Sequence, residues 1–106
     1  MIAPAIARIT LVQIIHAVAD ELLVTPQDII RPVRFRRVNT ARHMVVILAL
    51  ALTRLSKANL GNYLGGRHHA TIIHAERCAK QLLREDAIFA DAYHRVRIRL
   101  EGMHHE

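Results

Sequence analysis

The chain has 106 residues, 52% of them hydrophobic and 4% aromatic, and a formal net charge of +6. We expect one all-α domain over residues 1–106, too small for an added ATPase domain and without a P-loop motif. The lone Cys78 excludes an internal disulfide and favours a cytoplasmic, reducing location. The most apolar run, 44–52, is too short to cross a bilayer.

Residues 1–9 precede the first clear helix signal and lack the pattern of a secretory leader. We expect them to form an N-terminal helical extension. Ile2, Ile6 and Ile9 make this segment apolar on one side, and such a segment favours contact with a second copy of the chain. A homodimer through the N-terminal segment is therefore one prediction.

Two capped helices follow. Thr10 and Gln13 have the spacing of a capping box, which predicts a helix over 11–23. Thr25 and Pro26 then occupy the preferred first positions of a short second helix.

The middle of the chain contains its longest apolar pattern. Residues 31–38 are basic, show no helical period and predict a connector. Asn39 is the predicted N-cap of a central helix over 40–54, in which Ala51 is expected to face inward. Ser56 predicts a further short helix over 57–64.

Gly65 and Gly66 form the only Gly-Gly pair and turn the chain into a helix predicted over 68–84. Asp86 caps a last helix, and residues 102–106 are a predicted tail. The order is that of a compact helical bundle containing a helix-turn-helix.

The charge is unevenly distributed. No Asp or Glu occurs from Ile29 to Ala75. A solvated basic surface is the alternative, but so long an acid-free interval favours a positive field and a polyanionic partner. With a helix-turn-helix, that partner is expected to be double-stranded DNA, with no membrane role. The interval holds eight cations: Arg31, Arg34, Arg36, Arg37, Arg42, Arg54, Lys57 and Arg67.

The first turn after the Gly-Gly pair has the chemistry of a nucleic-acid contact. Arg67 supplies a cation, His69 a donor or acceptor for a base edge, and Thr71 a hydroxyl for phosphate. The alternative is a glycine C-cap that needs no ligand.

Four stretches carry a family resemblance: AVADELLVTPQDII, RFRRVNTARHMVVILALALT, LSKANLGNYLGGRHHATIIHA and AKQLLRED. They resemble the C-terminal DNA-binding domain of DnaA, the bacterial replication initiator, from about Thr10 to Leu100. The resemblance implies a helical bundle that binds a short duplex element, the DnaA box. It also implies that Arg34 enters the minor groove, Arg42 contacts phosphate and His69 contacts a base.

Two positions depart from the family pattern, which has Asp where His68 stands and Thr where Ala70 stands. Aspartate accepts from a cytosine amino group, whereas histidine does so poorly, and Ala70 retains only a methyl group for thymine. Weakened or shifted preference for the box is therefore expected. The complete predicted DNA-binding set is Arg34, Arg36, Arg37, Arg42, Lys57, Arg67, His68, His69, Ala70 and Thr71.

The expected function is a free-standing, nucleoid-associated DNA-binding protein that modulates replication initiation or transcription at DnaA-box-like sites. The alternative is an interaction module that regulates the initiator or its regulators without specific DNA binding. No spacing supports a catalytic site, a cofactor or a metal, so neither an enzyme nor a metalloprotein is expected. Cys78 is predicted as a small buried thiol and His74 as a packing residue.

Overall fold

The computed structural model describes residues 8–102. The predictions for Ile2 and Ile6, and for the tail beyond Gly102, lie outside the described residues. Six helices and no strand occupy the described range, which confirms the all-α fold. They are α1 (Leu11–Leu22), α2 (Pro26–Ile30), α3 (Arg36–Leu52), α4 (Lys57–Tyr63), α5 (His69–Glu85) and α6 (Ala87–Gly102).

Most helix starts follow from local capping chemistry. At α1 both halves of the predicted capping box form, with Thr10 and Gln13 each bonding the other's backbone N–H. Thr25 and Ser56 accept from the third residues of α2 and α4. Asp86 accepts from the Phe89 N–H at 3.1 Å and caps α6. These predictions are confirmed.

The start of α3 differs from the prediction. The helix begins at Arg36, four residues earlier than expected, so Asn39 lies inside it and is not its cap. Phe35 is the N-cap residue and provides no side-chain hydrogen bond. Val38 and Ala41 are buried, and this burial extends the apolar face of α3 back to its first turn. Tertiary packing therefore overrides the missing local cap signal.

The long helix α3 is the centre of the bundle. It packs against α1, α2, α4 and α5, whereas α6 packs against α1 and α5. Most of its residues from Val38 to Ala49 are buried, as its nearly all-round apolar pattern predicts. Ala51 is exposed, so its predicted inward orientation is wrong.

The turn between α4 and α5 requires glycine at two points. A Cβ atom on Gly61 would lie 2.1 Å from the carbonyl oxygen of Arg67. Gly65 has φ +79°, and its Cβ would lie 2.4 Å from the carbonyl oxygen of Ile30. Gly65 thus lets the turn fold closely against the end of α2, and Gly61, within α4, lets the chain at Arg67 pack against that helix. Among the described helices, none is long and apolar enough to span a membrane.

Candidate nucleic-acid interface

A cleft of about 630 Å³ runs between the connector, residues 31–35, and the first turns of α5. One wall contains Pro32, Val33 and Arg34, and the opposite wall contains Thr71 and His74. Arg42 and Arg67 also line this cleft, so three of the predicted arginines meet at one place. The cleft is therefore a concave surface that brings together three arginines of the acid-free interval.

The edge formed by the end of the connector and the first turn of α3 carries three arginines that the chain does not neutralise, and the first of them lines the cleft. Arg34, Arg36 and Arg37 are exposed, and their side chains make no hydrogen bond or ion pair with any described residue. Arg36 and Arg37 lie in the first turn of α3, which contains no acidic residue. Cations at the positive end of a helix dipole are unfavourable there, and a bound anion would relieve the repulsion.

Arg42 lies beneath this edge and is only 7% exposed. Its Nε donates to the Ile29 carbonyl at 2.7 Å, and its Nη2 donates to the carbonyls of Asp28, at 2.9 Å, and Arg31, at 2.5 Å. The guanidinium thereby satisfies carbonyls at the end of α2. All the hydrogen bonds observed for Arg42 are to carbonyl oxygens of this chain, and the predicted contact between Arg42 and a DNA phosphate stays a prediction.

Arg67 bonds neighbouring carbonyls and shares one of them with Arg42. Its Nη1 donates to the Ile30 carbonyl at 3.0 Å and also to the Leu64 carbonyl. Its Nη2 donates to the Arg31 carbonyl at 2.9 Å, the oxygen that Arg42 also contacts. We call these two side chains the arginine clamp, since together they fix the connector relative to α3 and α5.

Burial influences the titration of this region. Desolvation lowers the pKa of Arg42, and nearby Arg67 lowers it further, while desolvation alone lowers the pKa of Arg67. Half-buried His43 lines the cleft, and burial, then His74 and Arg42, hold its pKa below the ordinary value. His43 is therefore predominantly neutral at neutral pH, whereas both arginines stay charged.

The start of α5 presents its polar side chains to solvent. His68 is the N-cap residue, and its Nδ1 accepts from the Ala70 N–H at 3.0 Å. This bond places the ring proton on Nε2, so the free edge of His68 is a donor. Its ring lies 4.5 Å, centroid to centroid, from that of His69. His69, Ala70 and Thr71 are exposed, as a base-reading surface requires.

Some cations elsewhere are paired within the chain, whereas Arg54, Arg77 and Arg84 make no ion pair or hydrogen bond with a described residue. Lys57, one of the predicted DNA contacts, lies 3.3 Å from Glu76, which Lys80 also contacts. Burial raises the pKa of Glu76, but hydrogen bonds from Lys80 and Lys57 outweigh burial and lower it. On α6, Arg95 and Arg99 pair with Glu21 and Asp20 of α1. Lys57, Arg95 and Arg99 are therefore less available to a polyanion than the unpaired Arg34 in the cleft.

Sequence reasoning missed several residues of the cleft. His43 and Asn39 line it. Extending the predicted helix back to Arg36, where α3 begins, would have placed both residues on α3 beside the connector. His74 is exposed rather than packed, and its Nε2 lies 3.4 Å from the half-buried Cys78 Sγ. Within residues 8–102, no group of three His, Cys, Asp or Glu side chains could hold a metal ion.

The fold and the cleft together define a helix-turn-helix domain, with α5 as its second helix and a basic groove beside it. A family model, the bacterial dnaA protein helix-turn-helix, matches residues 11–78. The chain belongs to this family, whose domain binds DNA. Similar proteins include the chromosomal replication initiator protein DnaA of two Cereibacter sphaeroides strains, each 33% identical over 84 residues. The match covers 79% of this chain but only 18% of either relative.

Proposed function

We propose that the chain binds duplex DNA and modulates replication initiation or transcription at DnaA-box-like sites in the nucleoid. The observation that carries this proposal is the run of unpaired arginines Arg34, Arg36 and Arg37, of which Arg34 lines the same cleft as Thr71 in the exposed first turn of α5. A helix N-terminus and a basic groove on one face suit a duplex whose major groove receives α5. Family membership supplies independent support.

In this proposal the clamp residues Arg42 and Arg67 position the binding surface. Arg34, Arg36 and Arg37 contact phosphates and the groove edge, and Lys57 adds a more distant cation. His69, Ala70 and Thr71 face the bases and the adjoining backbone. The division follows from the hydrogen bonds, because clamp donors bonded to carbonyls contribute less to phosphate binding than free guanidinium groups.

The altered reading surface has a predictable base preference. His68 presents Nε2–H as a donor because Nδ1 is used for capping. Aspartate, the family residue here, presents only acceptors and pairs with the cytosine amino group. A donor pairs instead with the O6 or N7 acceptors of guanine. We therefore propose guanine in place of cytosine at the position that this residue reads.

The test compares binding of the chain to a DnaA-box duplex, to a scrambled duplex and to a box carrying that cytosine-to-guanine exchange. We expect the exchanged box to bind most tightly at one salt concentration. The double variant His68→Asp, Ala70→Thr should regain preference for the unaltered box by roughly tenfold or more, given about 1–3 kcal/mol per base contact. Equal binding of all three duplexes by both proteins would refute the base preference.

A second candidate function is contact with the initiator or one of its regulators. Val12, Leu23, Ile88 and Ile98 are exposed apolar side chains outside the cleft, on α1, the turn that follows it and α6. Arg34→Ala combined with Arg36→Ala separates the two functions. It should weaken DNA binding strongly, whereas an effect on replication that runs through protein contact alone would persist.

A further inference from the structure

Phe35 occupies a position for which its side chain is poorly suited. It is the N-cap residue of α3, where serine, threonine, aspartate or asparagine would accept a backbone N–H, and it provides no such bond. Its ring is 73% exposed. The side chain thus neither caps the helix nor contributes to the core.

The surroundings of Phe35 indicate what its ring meets. Arg34 precedes it, Arg36 and Arg37 follow it, and none of these guanidinium groups is paired within the described chain. An aromatic ring among unpaired cations is complementary to nucleic acid, which offers phosphates to the arginines and a stacked base surface to the ring.

The cleft determines which groove the ring would enter. A strand of duplex DNA separates the major groove from the minor groove, so a cleft that holds one strand has its two walls in adjacent grooves. The α5 wall carries a helix, which fits the wide major groove. The connector wall, with Pro32, Val33 and Arg34, then lies in the minor groove, and Phe35 directly follows Arg34 in the chain.

We propose that Phe35 inserts its ring into a base-pair step from the minor-groove side and kinks the duplex. Such wedges partially unstack a step and bend DNA toward the major groove. The easily unstacked TA and CA/TG steps are the expected sites, so Phe35 selects sequence through deformability. This inference rests on the proposed function, namely that the cleft holds one strand of a duplex.

The experiment uses the full chain with Phe35→Ser and, as the control, Tyr63→Ala, which removes another exposed aromatic ring, at the end of α4 rather than in the connector. Serine at an N-cap supplies the missing acceptor, so Phe35→Ser should fold at least as stably as the wild type. Duplexes carry 2-aminopurine at successive steps, and anisotropy measures binding in parallel.

We expect 2-aminopurine fluorescence to rise at one step when the wild type or Tyr63→Ala binds, and not when Phe35→Ser binds. Affinity of Phe35→Ser should fall by roughly tenfold, as expected for one lost aromatic contact. Any of three results would overturn the inference: the wild type binds without a fluorescence rise, the rise persists with Phe35→Ser, or the chain binds the single strand more tightly than the duplex. Absence of any duplex binding would instead overturn the proposed function.

Discussion

Replacing Arg42 with methionine tests whether this side chain supports the fold. Methionine keeps much of the side-chain volume and the helix propensity but removes every donor. The guanidinium is buried, and it donates to three carbonyl oxygens at 2.5–2.9 Å. Two of those oxygens belong to the last residues of α2 and the third to Arg31, which follows it. Among the described side chains only Arg67 contacts one of them as well, the Arg31 oxygen.

The magnitude follows from these bonds. Hydrogen bonds to charged groups contribute about 1.5–3 kcal/mol each, so three could contribute about 4.5–9 kcal/mol. Nη2 serves two oxygens and burial of the cation is itself unfavourable, so the net loss is smaller, about 3 kcal/mol. For a domain of this size, that loss lowers Tm by roughly 15 °C.

Urea unfolding followed by helical circular dichroism measures the effect. Arg37→Met is the matched control, because Arg37 is exposed and unpaired on the same helix; it should stay within about 0.5 kcal/mol of the wild type. Arg42→Lys keeps the charge but loses the planar fork, and it should be nearly as destabilised as Arg42→Met. If Arg42→Met unfolds at the same urea concentration as the wild type, the stabilising role of the arginine clamp is refuted.

Two further predictions concern packing and titration. Gly61→Ala should destabilise the chain by about 2 kcal/mol, because its Cβ would meet the Arg67 carbonyl oxygen and the turn must shift. Acidification should destabilise the chain through His43, whose folded pKa is lowered by burial, His74 and Arg42. Above about pH 6.5 the His43 ring is neutral in both the folded and the unfolded chain. Below that pH the unfolded chain binds the proton first, so the free energy of unfolding decreases.

Each of these two predictions has its own control. Gly102→Ala, with no atom within 4 Å of the added Cβ, should be neutral or slightly stabilising in the same urea assay. His43→Gln should flatten the decline of urea midpoint between pH 7 and pH 5. An unchanged decline, or equal effects of the two glycine substitutions, would contradict the respective explanation.

The sequence predicts most of this fold because its signals are short-range. Thr10, Thr25, Ser56 and Asp86 cap helices through bonds that span three residues. The start of α3 carries no such signal, since Phe35 makes no side-chain cap and burial of Val38 extends the helix instead. Propensity and periodicity could not reveal that tertiary contribution.

The candidate site was predictable in composition but not in the division of roles. The acid-free interval identified the arginines that meet at the cleft. It could not separate Arg42 and Arg67 from Arg34, because the carbonyl partners of the clamp lie up to 37 residues away in sequence. The exposed His74 was misassigned for a similar reason, since its environment depends on how α3 and α5 pack.

The salt dependence of duplex binding tests most directly whether the unpaired arginines at the cleft hold DNA. The test compares two double variants of equal net charge. One is Arg34→Ala, Arg36→Ala, and the other is Arg95→Ala, Arg99→Ala, in which the replaced arginines are paired with acids on α1. Each lost phosphate contact should reduce the slope of log K against log salt by about 0.9. We expect a reduction of about 2 for the cleft variant and almost none for the α6 variant. Equal reductions in both would contradict binding at the cleft.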